Sequence, residues 1–546
     1  MAAPTTFADH VQQIVDDFLH TVVIVDDQAF DGWSSQSDAG EEQPQAGDPV
    51  GRGVTVGLAP PTHASEHDLD PKAITDAFAE TGLVCSLLSP RPGEPIGEMV
   101  IRTARRADLV VLDWVLNRDE GNTTLDLLGE ILKDDEKQPR RRLRTIAVYT
   151  GQQDLYGVAS RVSDALEPVY SDCTLTKQDK GLSMTKGPVR IAVFAKETVD
   201  NLPASLQPRQ LSAKDLATRL RKEFATLTSG LISTVALAAI TALREDTHRI
   251  LTTLNPTLDP AYLGHRSVLP DPEDAEAQAV ALVVAEISSV IAGSHIDRNV
   301  DLGVLKLWLA DVKNGSKRFG ELIDNKAIPI AQVERMLEHG IGTDEGAEKV
   351  GDQTISKKHL KAKVRQSATK VFSPSSAAAE RSNSEFFYRM AMRTAYAEPP
   401  RTMQLGTIIT GDKSQYRLCV QPVCDSVRLD RPRLFPFLRL TVVGKDKPAK
   451  YVVPHPTGTG WIRLASGSFP RDIEMISFDP RPKRQVTAQA TSDVHVFLAQ
   501  DGMVWRWVGE LKTDFAQQVA VELSQRFARV GVDEPELLRI SRPTQR

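Results

Sequence analysis

Four short apolar runs in the first two hundred residues end in side chains that can do chemistry. VVIVD closes in Asp26 with Asp27 behind it, DLVVLD closes in Asp113, TIAVYT closes in Thr150, and VRIAVFA is followed by Lys196. If these runs are parallel strands of one sheet, their tips gather in the crevice beyond the carboxyl ends. Three carboxylates, a hydroxyl and an ammonium would then share one small volume. Carboxylates packed together repel, and without a cation at least one of them rises in pKa. Magnesium relieves this, because it prefers oxygen ligands and keeps several waters, so carboxylates, a backbone carbonyl and a phosphoryl oxygen suit it. Asp113 could then attack phosphorus and form an acyl phosphate, with Mg2+ and Lys196 offsetting charge on the equatorial oxygens. Thr150 would donate to the new phosphoryl group.

The elements that must position these groups are legible between Thr21 and Lys196. Strands are expected at 22–26, 83–88, 108–113, 145–150 and 189–195, and amphipathic helices at 71–80, 95–106, 123–133 and 154–166. Alternation of this kind marks an α/β doubly wound parallel five-stranded sheet covered on both faces. Two insertions interrupt it. Residues 31–70, rich in Gly, Pro, Ser, Asp and Glu, read as a loop. Residues 172–187 read as a hairpin around Asp179, Lys180 and Gly181.

Taken in order, VVIVDD, DLVVLDWVLN, IAVYTG and VFAK resemble the signature strands of response-regulator receiver domains in two-component signalling. The resemblance covers residues 20–200 and implies a flavodoxin-like strand order of 2-1-3-4-5. It further implies that Asp26 and Asp27 hold magnesium with the Val115 carbonyl, that Asp113 accepts phosphate from a histidine kinase, and that Thr150 and Lys196 are the switch hydroxyl and the site lysine. Glu197 stands where the family usually has proline, and both insertions are unusual. Lys177 and Lys186 in the hairpin are rivals to Lys196. The competing readings are a receiver that takes no phosphate and a domain whose strand-end acids only cap helices.

After a linker at 200–210, Ser212 and Asp215 form a capping signature that opens a long helix to about Leu254. Within it, Gly230–Leu243 reads as a buried core helix, too short to span a bilayer. Another helix fits 273–292. The expected division is a receiver over 1–200, a mainly helical domain over 201–350, a polar and basic connector over 351–400, and a β-rich α+β domain over 401–546. That last domain is expected to close with a helix over 511–529 carrying Phe515, Val519, Leu523 and Phe527.

The remaining signals are weaker. Cys419 and Cys424 with His455 and His495 could be assembled into a zinc site, but a buried reduced pair of cysteines is preferred. His248 could relay phosphate in principle; a histidine on a polar helix face is the default. The basic run Lys357, Lys358, Lys361, Lys363, Arg365 and Lys370 could contact phosphate backbones, as an alternative phosphorylation-switched output binding nucleic acid or protein would require, but a solvated helical face is preferred. Trp505 and Trp507 read as core.

No glycine-rich phosphate loop, serine elbow or metalloprotease helix is found, so no catalytic output is expected. A net charge of -6 over 546 residues gives no overall reason to bind nucleic acid or a membrane. Four cysteines and no export signal fit a reducing cytoplasm. A receiver with insertions, joined to a large module without evident catalysis, also resembles the response-receiver components of bacterial anti-phage two-component operons. The phosphate-buffering component of Detocs-type systems is one of these. That likeness implies a cognate histidine kinase and a second receiver-bearing effector as partners.

Overall fold

The computed structural model describes residues 4–27, 70–89, 96–116, 119–137, 141–314, 330–340, 349–350, 353–354, 368–394, 400–411, 415–445, 447–456, 458, 460–467, 470–481, 484–491 and 494–527. The insertion at 31–69 and the basic run from Lys357 to Arg365 lie outside them. The chain divides into two units, residues 1–315 and 316–546.

The first unit is built on strands β1 (Thr21–Val25), β2 (Val84–Leu88), β3 (Leu109–Asp113), β4 (Arg144–Thr150), β5 (Leu175–Gln178), β6 (Ser183–Lys186), β7 (Val189–Lys196) and β8 (Gln210–Leu211). They are ordered β2-β1-β3-β4-β7-β6-β5, with β8 also on β7. The five strands anticipated from the apolar runs pair in parallel, β2-β1-β3-β4-β7, in the expected order. Every residue of β3, β4 and β7 is buried, which is why these strands read as continuous apolar runs. The hairpin at 172–187 is β5 paired antiparallel with β6. It extends the sheet along the first half of β7, while β8 continues in parallel beside Ala195 and Lys196.

One face is covered by α3 (Ile96–Ala104), α4 (Asn122–Lys137) and α5 (Leu155–Leu166), which pack on Val23, Val110, Leu112, Ile146 and Val193. The other is covered by α1 (Phe7–Phe18), α2 (Pro71–Ala79) and α6 (Ala213–Thr228), which pack on Val22, Ile24, Val111, Ala147 and Phe194. The packing of the sheet therefore continues past the boundary expected at residue 200. Without Leu216, Leu220 and Phe224 of α6 this second face would be left bare, so the sheet needs residues past 200 to complete its core. A buried ion pair fixes the helix: Arg190 Nε of β7 donates to Glu223 Oε2 of α6 at 2.6 Å.

The single long helix expected from Ser212 to Leu254 is three. Ser212 does cap α6, its hydroxyl accepting from Asp215 N at 3.2 Å. At Gly230, φ of 156° turns the chain by 118° into α7 (Leu231–Glu245), and a further break at Asp246 precedes α8 (Thr247–Thr253). Nor is the apolar stretch from Gly230 to Leu243 a wholly buried helix. Thr234, Leu237 and Thr241 face the core, whereas Ile232 and Ile240 are exposed. Helices α9 (Asp259–Val268), α10 (Asp274–Gly293) and α11 (Leu302–Asn314) complete the unit. By length and composition α10 could cross a membrane, at a mean hydropathy of 1.6, although Asp274, Glu276 and Glu286 lie in it.

The second unit contains α12 (Ile330–His339), a two-residue ladder of β9 (Lys349–Val350) with β10 (Gln353–Thr354), α13 (Ser376–Ala391) and α14 (Thr513–Phe527). Its main sheet is formed by β11 (Thr407–Thr410), β12 (Tyr416–Cys419), β13 (Arg433–Val442), β14 (Tyr451–Pro454), β15 (Trp461–Ser466), β16 (Ile473–Phe478), β17 (Gln489–Thr491), β18 (Val494–Leu498) and β19 (Val504–Glu510). All pairings in it are antiparallel, in the order β14-β15-β13-β12-β11-β19-β18-β17, with β16 also on β13. Alternate residues feed two cores. Ile408, Leu418, Leu438 and Leu440 pack with Ala516 and Val519 of α14, while Ile409, Cys419, Phe435, Phe437 and Trp505 form the other. The two cysteines do not form a buried pair, since Cys419 is buried in β12 and Cys424 is exposed on the turn after Pro422.

Candidate functional site

Asp113, Asp26 and Lys196 meet at the carboxyl edge of the parallel sheet. Asp26 follows β1, its N–H held by Leu88 O of β2 at 3.0 Å. Asp113 is the last residue of β3. The loop beyond it is pinned by Thr124, the third residue of α4, whose hydroxyl lies 2.7 Å from Asp113 O and 3.1 Å from Trp114 O. Gly121 adopts φ of 93° in the same loop, and a Cβ there would come within 2.3 Å of the Trp114 indole. Glycine is thus required both by conformation and by space.

Lys196 Nζ lies 2.7 Å from Asp113 Oδ1 and 3.0 Å from Asp26 Oδ2. The other Asp113 oxygen accepts from the Val115 N–H at 2.8 Å. Asp26, Asp113 and Lys196 are all at most 7% exposed, so these charges interact in a poorly solvated setting. Burial pushes the Asp113 carboxyl up from 3.8 to about 6; Lys196 opposes this and Asp26 adds to it. Burial would lower the Lys196 ammonium, but Asp113 and Asp26 outweigh it and hold the group above its ordinary value.

Thr150 closes β4, fully buried, with its Oγ1 accepting from Gln152 N at 3.0 Å. That contact leaves the hydroxyl hydrogen to donate elsewhere. Asp27 is partly buried, and its main-chain oxygen accepts from Ser89 Oγ at 3.1 Å. Among the described residues, no three carboxylate, histidine or cysteine side chains form a ready-made metal cage. The donor set nevertheless suits a hard divalent ion, with hard oxygen donors and more carboxylates than cations. Asp26, Asp27, Asp113 and the Val115 carbonyl are the groups that would hold it.

The rival lysines lie elsewhere. Lys186 donates to the main-chain oxygens of Leu166 and Glu167 at the end of α5, and Lys177 is exposed on β5. His248 is exposed, its Nδ1 3.2 Å from Glu245 O. In the second unit Trp505 is buried, while Trp507 is half-buried beneath the Arg401 guanidinium, 4.4 Å from the ring centre.

Two residues of the site region escape a reading of strand ends. Thr124 lies in a helix eleven residues after Asp113, and only its short polar side chain in the first turn hints at a tether. Tyr149 precedes Thr150 and so points to the opposite face. Its ring centre is 5.8 Å from Lys196 Nζ, and its hydroxyl donates to Leu211 O at 2.8 Å.

Comparison with known proteins adds one match. No curated protein and no solved structure matches the chain. The family model described as the response receiver domain matches residues 18–201, a span that runs from just before β1 to just after Lys196 and encloses every residue of the acidic site. The amino-terminal third of this chain is therefore a receiver domain, completed on one face by a helix that lies beyond the matched span.

Proposed function

We propose that this protein is a phosphorelay component in which Asp113 accepts a phosphoryl group from a histidine kinase. The observation that carries the reading is the Lys196 ammonium, buried between Asp26 and Asp113 at the strand tips. An Asp113 carboxylate oxygen forms a bond to phosphorus as the phosphorus–nitrogen bond of the phosphohistidine breaks, the electron pair leaving on the imidazole. The acyl phosphate so formed takes Asp113 out of its pairing with Lys196, and the ammonium follows charge onto a phosphoryl oxygen. Thr150 donates its hydroxyl hydrogen to another. Receiver domains generally bind Mg2+ at the acidic site; held by Asp26, Asp27, Asp113 and the Val115 carbonyl, it would supply charge neutralisation.

The chain works as an acceptor whose phosphoryl group is later lost to water. Its insertions and its large carboxy-terminal module favour a role as a phosphate buffer beside a second receiver-bearing effector, in the manner of bacterial anti-phage systems. Intact-mass measurement after incubation with acetyl phosphate and magnesium tests the acceptor step. One labile phosphoryl group is expected on the parent chain and none on Asp113→Asn or Asp113→Ala. A parent chain that gains no mass would leave the receiver as a docking scaffold and sink the reading. Buffering is tested by adding the chain to a kinase and a second receiver and following loss of label from the latter.

A further inference from the structure

The two units differ in charge in a way the whole-chain value conceals. Residues 1–315 carry 30 lysines and arginines against 46 aspartates and glutamates, whereas residues 316–546 carry 36 against 26. Part of that positive excess is gathered by the fold of the second unit. The stretches 428–433 (RLDRPR) and 479–484 (DPRPKR) hold six basic residues against two acidic ones. They are tied side by side at both ends: Arg433 faces Phe478 in the β13–β16 ladder, and Leu429 N donates to Arg484 O at 2.8 Å. Arg428, Arg431, Arg433, Arg481 and Arg484 are all exposed on this strip.

Two features favour a binding surface over an incidental solvated edge. Arg428 and Arg484 adopt φ of 58° and 56°, the left-handed region that glycine enters freely and a residue with a Cβ disfavours, so guanidinium groups stand where the backbone alone would select glycine. Pro432 and Pro480 restrict the backbone of the two stretches, which reduces the ordering cost of engaging a partner. The Arg481 fork is already taken by Asp479, through bonds of 2.9 and 2.7 Å.

From this strip we infer that the second unit binds nucleic acid through its phosphate backbone. Guanidinium forks match phosphate oxygens two at a time, and an elongated row of them suits a polymer with a charge every few ångströms. A lipid surface would call for a broad apolar face to insert, and the nearby exposed apolar side chains are Leu434 and Met475.

The test is fluorescence anisotropy of the full chain with a labelled mixed-sequence duplex DNA across a salt series. The parent is expected to bind at low salt. Combining Arg431→Ala, Arg433→Ala and Arg484→Gly should weaken binding at least tenfold and flatten the slope of log affinity against log salt by about 3, near 0.9 for each phosphate that is no longer neutralised. Asp113→Asn should bind DNA like the parent, which separates this surface from the relay. No binding at low salt, equal affinity of the triple variant, or a fall in affinity only when the run Lys357–Arg365 is neutralised would each overturn the inference. So would tight binding to anionic phospholipid vesicles in place of DNA.

Discussion

Both edges of the parallel sheet bury charge, and they settle it in opposite ways. At the amino edge, Arg144 at the start of β4 places Nε and Nη2 each 2.8 Å from the two oxygens of Asp135, and Nη1 2.8 Å from Ala104 O. Asp108 at the same edge accepts from the N–H groups of His20 and Thr21. One guanidinium meets one carboxylate, both of whose oxygens it bonds. At the carboxyl edge, one ammonium serves Asp26 and Asp113, and the second of these is lifted to about 6 by burial. Equal burial with matched partners gives a rivet, whereas an excess of carboxylate gives a site that gains by receiving a cation.

The largest effect expected from this contrast is at the rivet. Arg144→Ala leaves the buried Asp135 carboxylate without its partner and should destabilise the first unit by about 3–5 kcal/mol. Chemical denaturation measures it, and pairing the change with Asp135→Leu should recover much of the loss. An Arg144→Ala protein as stable as the parent would erase the distinction between the edges.

At the acidic edge the sign depends on pH. The Asp113 carboxyl is raised above its ordinary 3.8 in the folded chain, so it favours folding only while protonated. Its contribution is complete below about pH 4 and is lost as pH climbs through about 6. Over that range it should amount to at most about 3 kcal/mol without magnesium. Urea unfolding of the parent should therefore show stability from this group declining between pH 4 and 6, and Asp113→Asn should flatten that decline. An unchanged pH profile in the variant would place the titration on another residue.

How far each edge is legible in the sequence follows from the same physics. Strands buried on both faces have to be apolar throughout, so β1, β3, β4 and β7 stand out, and a polar residue closing such a run is conspicuous. That is why Asp26, Asp113, Thr150 and Lys196 can be named, whereas the strand order rests on the resemblance to receiver domains. The helix α1 escapes a reading that tests the chain start only for an export signal, although Phe7, Val11, Ile14 and Val15 have helical spacing and Thr6 forms a capping box with Asp9. The cover provided by α6 falls to a separate domain in the sequence because nothing there says which sheet an amphipathic helix will lie on. In the second unit, Thr407–Thr410 is a four-residue strand buried at every position and Ile473–Phe478 is half-buried at half of its positions, so neither carries the clean in–out alternation that marks a strand in the sequence.

The smallest expected effect joins the acidic edge to the helix beyond it. Lys196 is paired with Leu211 in the β7–β8 ladder, and the Tyr149 hydroxyl donates to that same Leu211 carbonyl one residue before the Ser212 cap of α6. Burial pushes the Tyr149 phenol above its ordinary value, so it is a protonated donor at neutral pH. Tyr149→Phe keeps the ring beneath Lys196 and removes only the bond, which should cost about 1 kcal/mol. Amide exchange should quicken at the start of α6, while acetyl phosphate should still label Asp113 at the parental rate. If labelling fell with the hydroxyl, the two faces of the sheet would be coupled more tightly than a single backbone contact allows, and the contrast between a reactive edge and a merely structural surround would have to include Tyr149 on the reactive side.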